Sequence, residues 1–229
     1  MKLTQPQIQN LYAFTRQHYV EHYDLQTELV DHLANDIESV WQTETNLSFE
    51  EARDQAFKKF GVFGFMDVLE RRQKAMNKRY LRYLWTELKQ WFTFPKLITT
   101  LALFFGIYLG LSTIFAKSFL IGLFVIICVF TIYKSIQLKK QFKQRKALSN
   151  KKWMLEEIIF KQAGASAINL LTQLPQWYNF SGNIFSYPYI VLGLSIFSTL
   201  FCLWMYISFE VIPNKAEKLL NETYPEFCL

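Results

Sequence analysis

The chain has 229 residues, 51% of them hydrophobic and 17% aromatic, with only 8 glycines and 6 prolines. That length suits one small soluble domain plus a few membrane segments, and the composition favours helices over a β-rich fold. The net charge of +6 conceals a segregation that argues against a nucleic-acid-binding surface. Between Glu21 and Phe57 stand ten acids against Arg53 alone, whereas Arg71–Lys96 and Lys134–Lys152 each carry eight Lys or Arg. Both basic blocks abut apolar segments, so the positive-inside rule accounts for them and puts them on the cytoplasmic side. No direct nucleic-acid binding is expected.

In chain order, residues 1–66 read as a cytoplasmic three-to-four-helix module. Thr4 and Pro6 open a first helix, with Ile8, Leu11, Tyr12 and Phe14 as apolar contacts. A second helix begins near Asp24, a good N-cap residue, and Leu25, Leu29, Leu33, Ile37 and Trp41 form its stripe at a spacing of four. Its polar side carries Glu28, Asp31, His32, Asp36 and Glu38, a candidate docking face for a basic partner. Ser48-Phe49-Glu50-Glu51 is a capping box that starts a third helix over Phe49–Phe60, with Lys58 and Lys59 in its last turn, where cations suit the helix dipole, and Gly61 following as its C′ residue.

Residues 67–96 read as a basic, aromatic juxtamembrane helix, with 78–92 lying along the inner leaflet. Arg79, Arg82, Trp85, Lys89 and Trp91 are candidate membrane-surface anchors, joined by Lys139, Lys140 and Arg145 from a basic cytoplasmic loop over 137–152. Pro95 separates this helix from the membrane region, 97–209. The uncharged runs Leu97–Ala116 and Ser118–Tyr133 read as a helical hairpin, with spans over about 97–116 and 118–136 and Lys117 at the turn, since a bilayer core needs roughly 20 apolar residues per helix. Residues 189–209 read as a further span. Residues 157–178 carry Lys161, Asn169 and Gln173 among apolar positions and read either as a tilted span or as an in-plane helix, giving four spans or three. Glu210–Leu229 reads as a C-terminal tail. The start MKLTQPQIQN is too polar for a signal peptide, so the first apolar segment is expected to be both signal and anchor.

The segment from Glu28 to Gly61 resembles a bacterial helical module. Glu28, Leu29, Asp31, His32 and Leu33 match an E-L-x-D-H-L pattern, and Ser48, Glu50, Glu51, Ala52, Ala56, Phe60 and Gly61 match S-x-E-E-A followed by A-x-x-x-F-G. The pattern is that of the HAAS signalling domain, found in membrane proteins associated with PadR-type regulators, and of the permease prefix domain of ABC-type permeases. The family usually continues with Asp-Pro after Phe-Gly, where this chain has Val-Phe-Gly-Phe. The resemblance implies a bacterial cytoplasmic-membrane protein whose soluble part docks or senses, with a PadR-type regulator or a permease as partner.

Catalytic patterns are weak. His18-Tyr19-Val20-Glu21-His22 matches H-x-x-E-H, but the soluble part is far smaller than a zinc peptidase domain, and the residues read as the polar end of helix one. The acids of helix two follow a helix face and lack the turn glycine of a calcium loop. His32 among acids reads as a surface histidine, with a pH-sensitive element as the sharper alternative. Lys161 reads as an interfacial lysine within reach of Glu157 at i−4. P-loop, dinucleotide, Cys/His-cluster and G-x-S-x-G patterns are missing. Taken together, the residues imply an all-α, non-enzymatic membrane protein with no cofactor or metal, contacting the anionic inner leaflet and a cytoplasmic partner or a second copy of itself. A small transporter or transport accessory is the alternative, and a lipid-acting enzyme ranks last.

Overall fold

A computed structural model describes residues 2–149, 151–161 and 182–225. Among the described residues the regular structure is helical throughout, with no strand. The helices are α1 (Gln5–Gln17), α2 (Tyr23–Thr43), α3 (Phe49–Lys58), α4 (Met66–Gln90), α5 (Lys96–Leu111), α6 (Ala116–Ser149), α7 (154–161), α8 (Pro188–Tyr206), α9 (Ile212–Asn214) and α10 (Ala216–Thr223). A 3-10 turn, Gly182–Ser186, precedes α8, and a π turn, Ile207–Val211, follows it. The chain divides into two compact units: Met1–Lys78 with Lys146–Leu155, and Arg79–Arg145 with Glu156–Leu229.

Unit one is built on α2. Its stripe Leu25, Leu29, Leu33, Ile37 and Trp41 is buried, along with Val30 and Val40. Such burial of a helix face, rather than helix propensity, holds a module of this size together. Leu11 and Phe14 from α1, and Ala52 and Ala56 from α3, close over it. The indole of Trp41 donates to Leu47 O (3.1 Å) and so ties the loop before α3 back to α2. At one end of this core, Phe57 packs edge-on against Phe14 (5.2 Å) and Phe65 (4.9 Å). The turn after α3 needs two glycines. Helix α3 ends at Lys58 rather than at the expected Phe60, Gly61 (φ 77°) follows two turn residues later, and Gly64 (φ 53°) lies so close under the Phe57 ring that a Cβ would approach it to 2.8 Å. That contact accounts for the glycine of the Val-Phe-Gly-Phe sequence after Gly61.

The basic segment expected as a loop over 137–152 is largely helical, because α6 continues to Ser149. Its end returns to unit one. Tyr23 N donates to Lys152 O (2.8 Å), Met154 N donates to Asp24 Oδ1 (3.3 Å), and the buried Trp153 stands edge-on to the Tyr23 ring (5.5 Å). Asp24, expected as the N-cap of α2, therefore lies in the first turn and uses its carboxylate on a distant amide, while His22 takes the cap position.

In unit two, α5 ends at Leu111, earlier than the expected 116. Ser112 Oγ bonds to Tyr108 O (2.7 Å) and Thr113 Oγ1 to Gly110 O (2.8 Å), capping the helix with side-chain hydroxyls. The hairpin turn is thus Ser112–Phe115, and Lys117, expected at the turn, falls in the first turn of α6. Ile107 and Leu111 of α5, Leu120 of α6 and Val191 of α8 form a buried cluster near the turn. The other end of the bundle is defined by Thr100 Oγ1 bonding to Trp91 O (2.8 Å) and by Trp91 standing edge-on to Tyr206 (5.6 Å).

The residues expected as a tail, Glu210–Leu229, are helical and packed as far as they are described. Ala216, Leu219, Leu220 and Tyr224 are buried. The second half of α4 is their partner: Tyr80 bonds to Ser208 (3.0 Å), Tyr83 to Thr223 (3.3 Å) and Glu87 to Lys215 (2.5 Å). So Tyr80, Leu84 and Leu88, in the helix expected to lie along the inner leaflet, are buried within the protein. Residues 162–181, which contain most of the ambiguous segment 157–178, lie outside the described residues, as do 226–229.

The capping box of α3 is closed in both directions, with Ser48 N donating to Glu51 Oε2 (3.0 Å) and Glu51 N to Ser48 Oγ (3.3 Å). The Ser48 side-chain and backbone bonds hold the Glu51 carboxyl below its ordinary pKa. Losing the Ser48 cap by Ser48→Ala is expected to destabilise unit one by about 1 kcal/mol, seen as a lower thermal midpoint. A depressed carboxylate contributes stability above its unfolded pKa and loses it as pH falls through the folded value. The gap between wild type and S48A should therefore narrow on acidification through the carboxylate range; a gap that widened there would contradict this coupling.

Candidate functional site

The polar side of α2 does not act as one face. Glu28, His32 and Asp36, spaced i, i+4, i+8, line an open groove of about 620 Å³ with Lys59 and Phe60 after α3 and with Gly64, Asp67, Val68, Arg71, Arg72 and Ala75 near the start of α4. Leu29, Phe60, Val68 and Ala75 give it an apolar floor. The other two acids are elsewhere. Glu38 accepts a hydrogen bond from Leu3 N (3.1 Å), and the Asp31 charge acts on Tyr12, whose pKa is raised chiefly by burial. A 100° step per residue turns 28, 32 and 36 one way and 31 and 38 towards α1.

The groove's charges pair across it. Lys59 Nζ meets Asp36 Oδ1 (2.7 Å), Arg72 lies 3.6 Å from Glu28 and 3.9 Å from Asp24, and Arg71 Nε donates to Asp67 O (3.2 Å). Sequence reasoning missed Lys59, Arg71 and Arg72 as site residues. Lys59 read as a helix-end cation, and the arginines read as part of the membrane-proximal block. Beside the groove, the turn after α3 leaves Val62 98% and Phe63 70% exposed, and Met66 is exposed next to them. Apolar side chains presented together in this way, rimmed by charge, suit a protein contact.

The expected membrane-surface residues also divide. Arg82, Trp85, Lys89, Lys139 and Lys140 are exposed, with Lys89 Nζ 6.0 Å from the centre of the Trp85 ring. Arg79 is half-buried. Trp91 packs on Tyr206, and Lys96 covers its ring at 5.5 Å. Arg145 is held inside unit two by Glu156 (2.8 Å) and Glu217 (3.2 Å), so its charge is already matched by carboxylates. Lys161 pairs with Glu157 and lies 5.7 Å from the centre of the Phe142 ring.

The H-x-x-E-H pattern does not form a helical pair. The first helix ends at Gln17, Tyr19 takes a left-handed backbone (φ 64°), and α2 starts at Tyr23, so His18 and His22 do not lie one turn apart on a shared helix face. His18 instead bonds to Phe14 O through Nδ1 (2.8 Å) and stacks against Phe14 and Phe57. Among the described residues no three His, Cys, Asp or Glu side chains are grouped to hold a metal ion.

Two helices, Ala116–Ala147 and Pro188–Asn214, are long and apolar enough to cross a membrane; Lys96–Leu111 is apolar but shorter. Comparison of the chain with protein-family models, curated proteins and solved structures finds no match.

The Asp36–Lys59 pair has side chains 34% and 53% exposed, so solvent screens it. A double-mutant cycle on Asp36→Asn and Lys59→Met is expected to give a coupling below about 1 kcal/mol, falling further in high salt. A salt-independent coupling of several kcal/mol would mean the groove is a structural clamp rather than an exchangeable surface.

Proposed function

We propose that this chain is a non-enzymatic, multi-pass protein of the bacterial cytoplasmic membrane, whose N-terminal unit docks a cytoplasmic partner in signalling or regulation. The observation that carries the proposal is the α2–α4 groove, with its apolar floor, its solvent-screened Asp36–Lys59 and Glu28–Arg72 pairs and the exposed Val62, Phe63 and Met66 beside it. A partner bringing its own charges can replace such weak pairs at small cost and gains burial of the apolar turn. The resemblance to the HAAS and permease prefix modules suggests the class of partner, a PadR-type regulator or a permease.

Placement in a bilayer is supported by where the apolar surface points. Only 28% of the most apolar stretch of Ala116–Ala147 is buried, and 39% of that in Pro188–Asn214. A soluble core helix buries most of such a stretch, whereas these helices turn Ile126, Val129, Ile136, Phe197 and other large side chains outward. The exposed Arg82, Trp85, Lys89, Lys139 and Lys140 suit an anionic inner leaflet. The transport reading rests on Lys161, Asn169 and Gln173. Lys161 is already matched by Glu157, and the other two lie outside the described residues.

Unit two supports an orientation as well. The start of α5, the end of α6 and the end of α8 share one end of the bundle, joined by Glu87–Lys215, Lys134–Glu210 and Arg145–Glu217. The Ser112–Phe115 turn and Val191 mark the opposite end. On this reading the C-terminal helix is cytoplasmic, and the number of crossings is even.

A photo-reactive residue at position 28, on the groove rim, is expected to capture a soluble regulator in intact cells, and Asp36→Lys in the same background should reduce that capture. Recovery of a permease or ATPase subunit instead would favour the transport-accessory reading, and loss of residues 1–66 without cellular effect would refute docking. For orientation, single cysteines at Val62 and Asn221 in a cysteine-free background should both resist a membrane-impermeant thiol reagent in whole cells while Ile114→Cys is labelled. Labelling of Asn221→Cys from outside would overturn the even count.

A further inference from the structure

A second concave site in unit one has a different chemistry from the docking groove. It is an open pocket of about 560 Å³, lined by Arg16 at the end of α1, Glu21, Tyr23 and Gln26 around the start of α2, and Lys146, Lys151 and Lys152 from the returning segment. Four cations face one carboxylate. That carboxylate, Glu21, is engaged by Lys152 (2.6 Å). Lys151 Nζ stands 4.3 Å from the centre of the Tyr23 ring. Arg16 and Lys146 are exposed, and no carboxylate among the described residues pairs with either.

The pocket is held in shape by groups that take no part in its charge. Gln26 is buried and donates to Val20 O (2.6 Å), fixing the turn between α1 and α2. The Tyr23–Lys152 backbone bond, the Met154 amide donating to the Asp24 carboxylate and the buried Trp153 fix the lysine segment against α2. Like charges gathered on a fixed frame repel one another, and a bound anion relieves that repulsion. Arg16 offers a planar fork for two oxygens, while Lys146, Lys151 and Lys152 act as point charges. The volume lies in the range of small-molecule sites, well above that of a single simple anion.

We propose that this pocket binds a phosphate-bearing ligand of two or more negative charges, with Arg16 and Lys146 as the contacts that a carboxylate does not already hold. The ligand chemistry is common to a soluble polyphosphate and to a phosphorylated lipid headgroup. The site shares no residue with the α2–α4 groove, so it stands or falls separately from partner docking.

The test uses the full chain in nanodiscs, titrated calorimetrically with pyrophosphate. In zwitterionic phosphatidylcholine discs pyrophosphate should bind, and Arg16→Ala with Lys146→Ala should each weaken it about tenfold, the loss of one charge-assisted bond. Lys58→Ala, outside the pocket, should leave it unchanged. In discs containing phosphatidic acid, whose phosphomonoester headgroup can carry two negative charges, competition that weakens pyrophosphate binding in the wild type but not in the Arg16/Lys146 double variant assigns the site to a headgroup; unchanged affinity assigns it to a soluble ligand. Absence of pyrophosphate binding, or binding equally weakened by Lys58→Ala and by the pocket variants, would overturn the proposal. Both substituted residues are exposed, and circular dichroism of each variant checks that the helical content is unaltered.

Discussion

The ion pairs at one end of unit two are the constraint on which the rest of that unit depends. Lys134, Arg145 and Lys215 meet Glu210, Glu217, Glu156 and Glu87 where the long apolar helices give way to polar chain. A charge cannot move far into an apolar phase without its partner. These pairs tie α4, α6 and the C-terminal segment together at that end of unit two. They also explain why the last helices fold back: Glu217 and Lys215 find counter-charges there, while Leu219, Leu220 and Tyr224 are buried.

Unit one solves a different problem. It has no long apolar helix, so its stability rests on one buried stripe and on two stitches, the Trp41–Leu47 bond and the return of Trp153 to the start of α2. The second stitch joins residues some 130 positions apart in sequence. It also carries the lysines that make the basic pocket, so the same backbone contacts that complete the core assemble that site. The groove on the other side of α2 arises where Gly64 lets the chain turn under Phe57 and brings Arg71 and Arg72 opposite Glu28 and Asp36.

Local patterns were legible where a single element decides them. The α2 stripe at spacing four, the Ser48–Glu51 box, Gly61 and the break at Pro95 all rest on neighbours within one or two turns. Patterns failed where a distant partner competes. Asp24 reads as a cap until Met154 N takes its carboxylate. Tyr80, Leu84 and Leu88 read as part of a helix lying along the leaflet until Ser208–Tyr224 covers them. His18 and His22 read as a turn apart until Tyr19 enters the left-handed region and ends the helix.

The sequence by itself determined the helical class, the long charge-free segments and the separation of an acidic head from basic blocks, because periodicity and hydropathy are properties of consecutive residues. Only the tertiary structure decided which acids share a groove, which arginines are matched by carboxylates, and that the C-terminal residues form a packed helix rather than a tail. Those outcomes depend on pairings between residues far apart in the chain, whose energies are set by burial and distance and leave no periodic trace in the sequence.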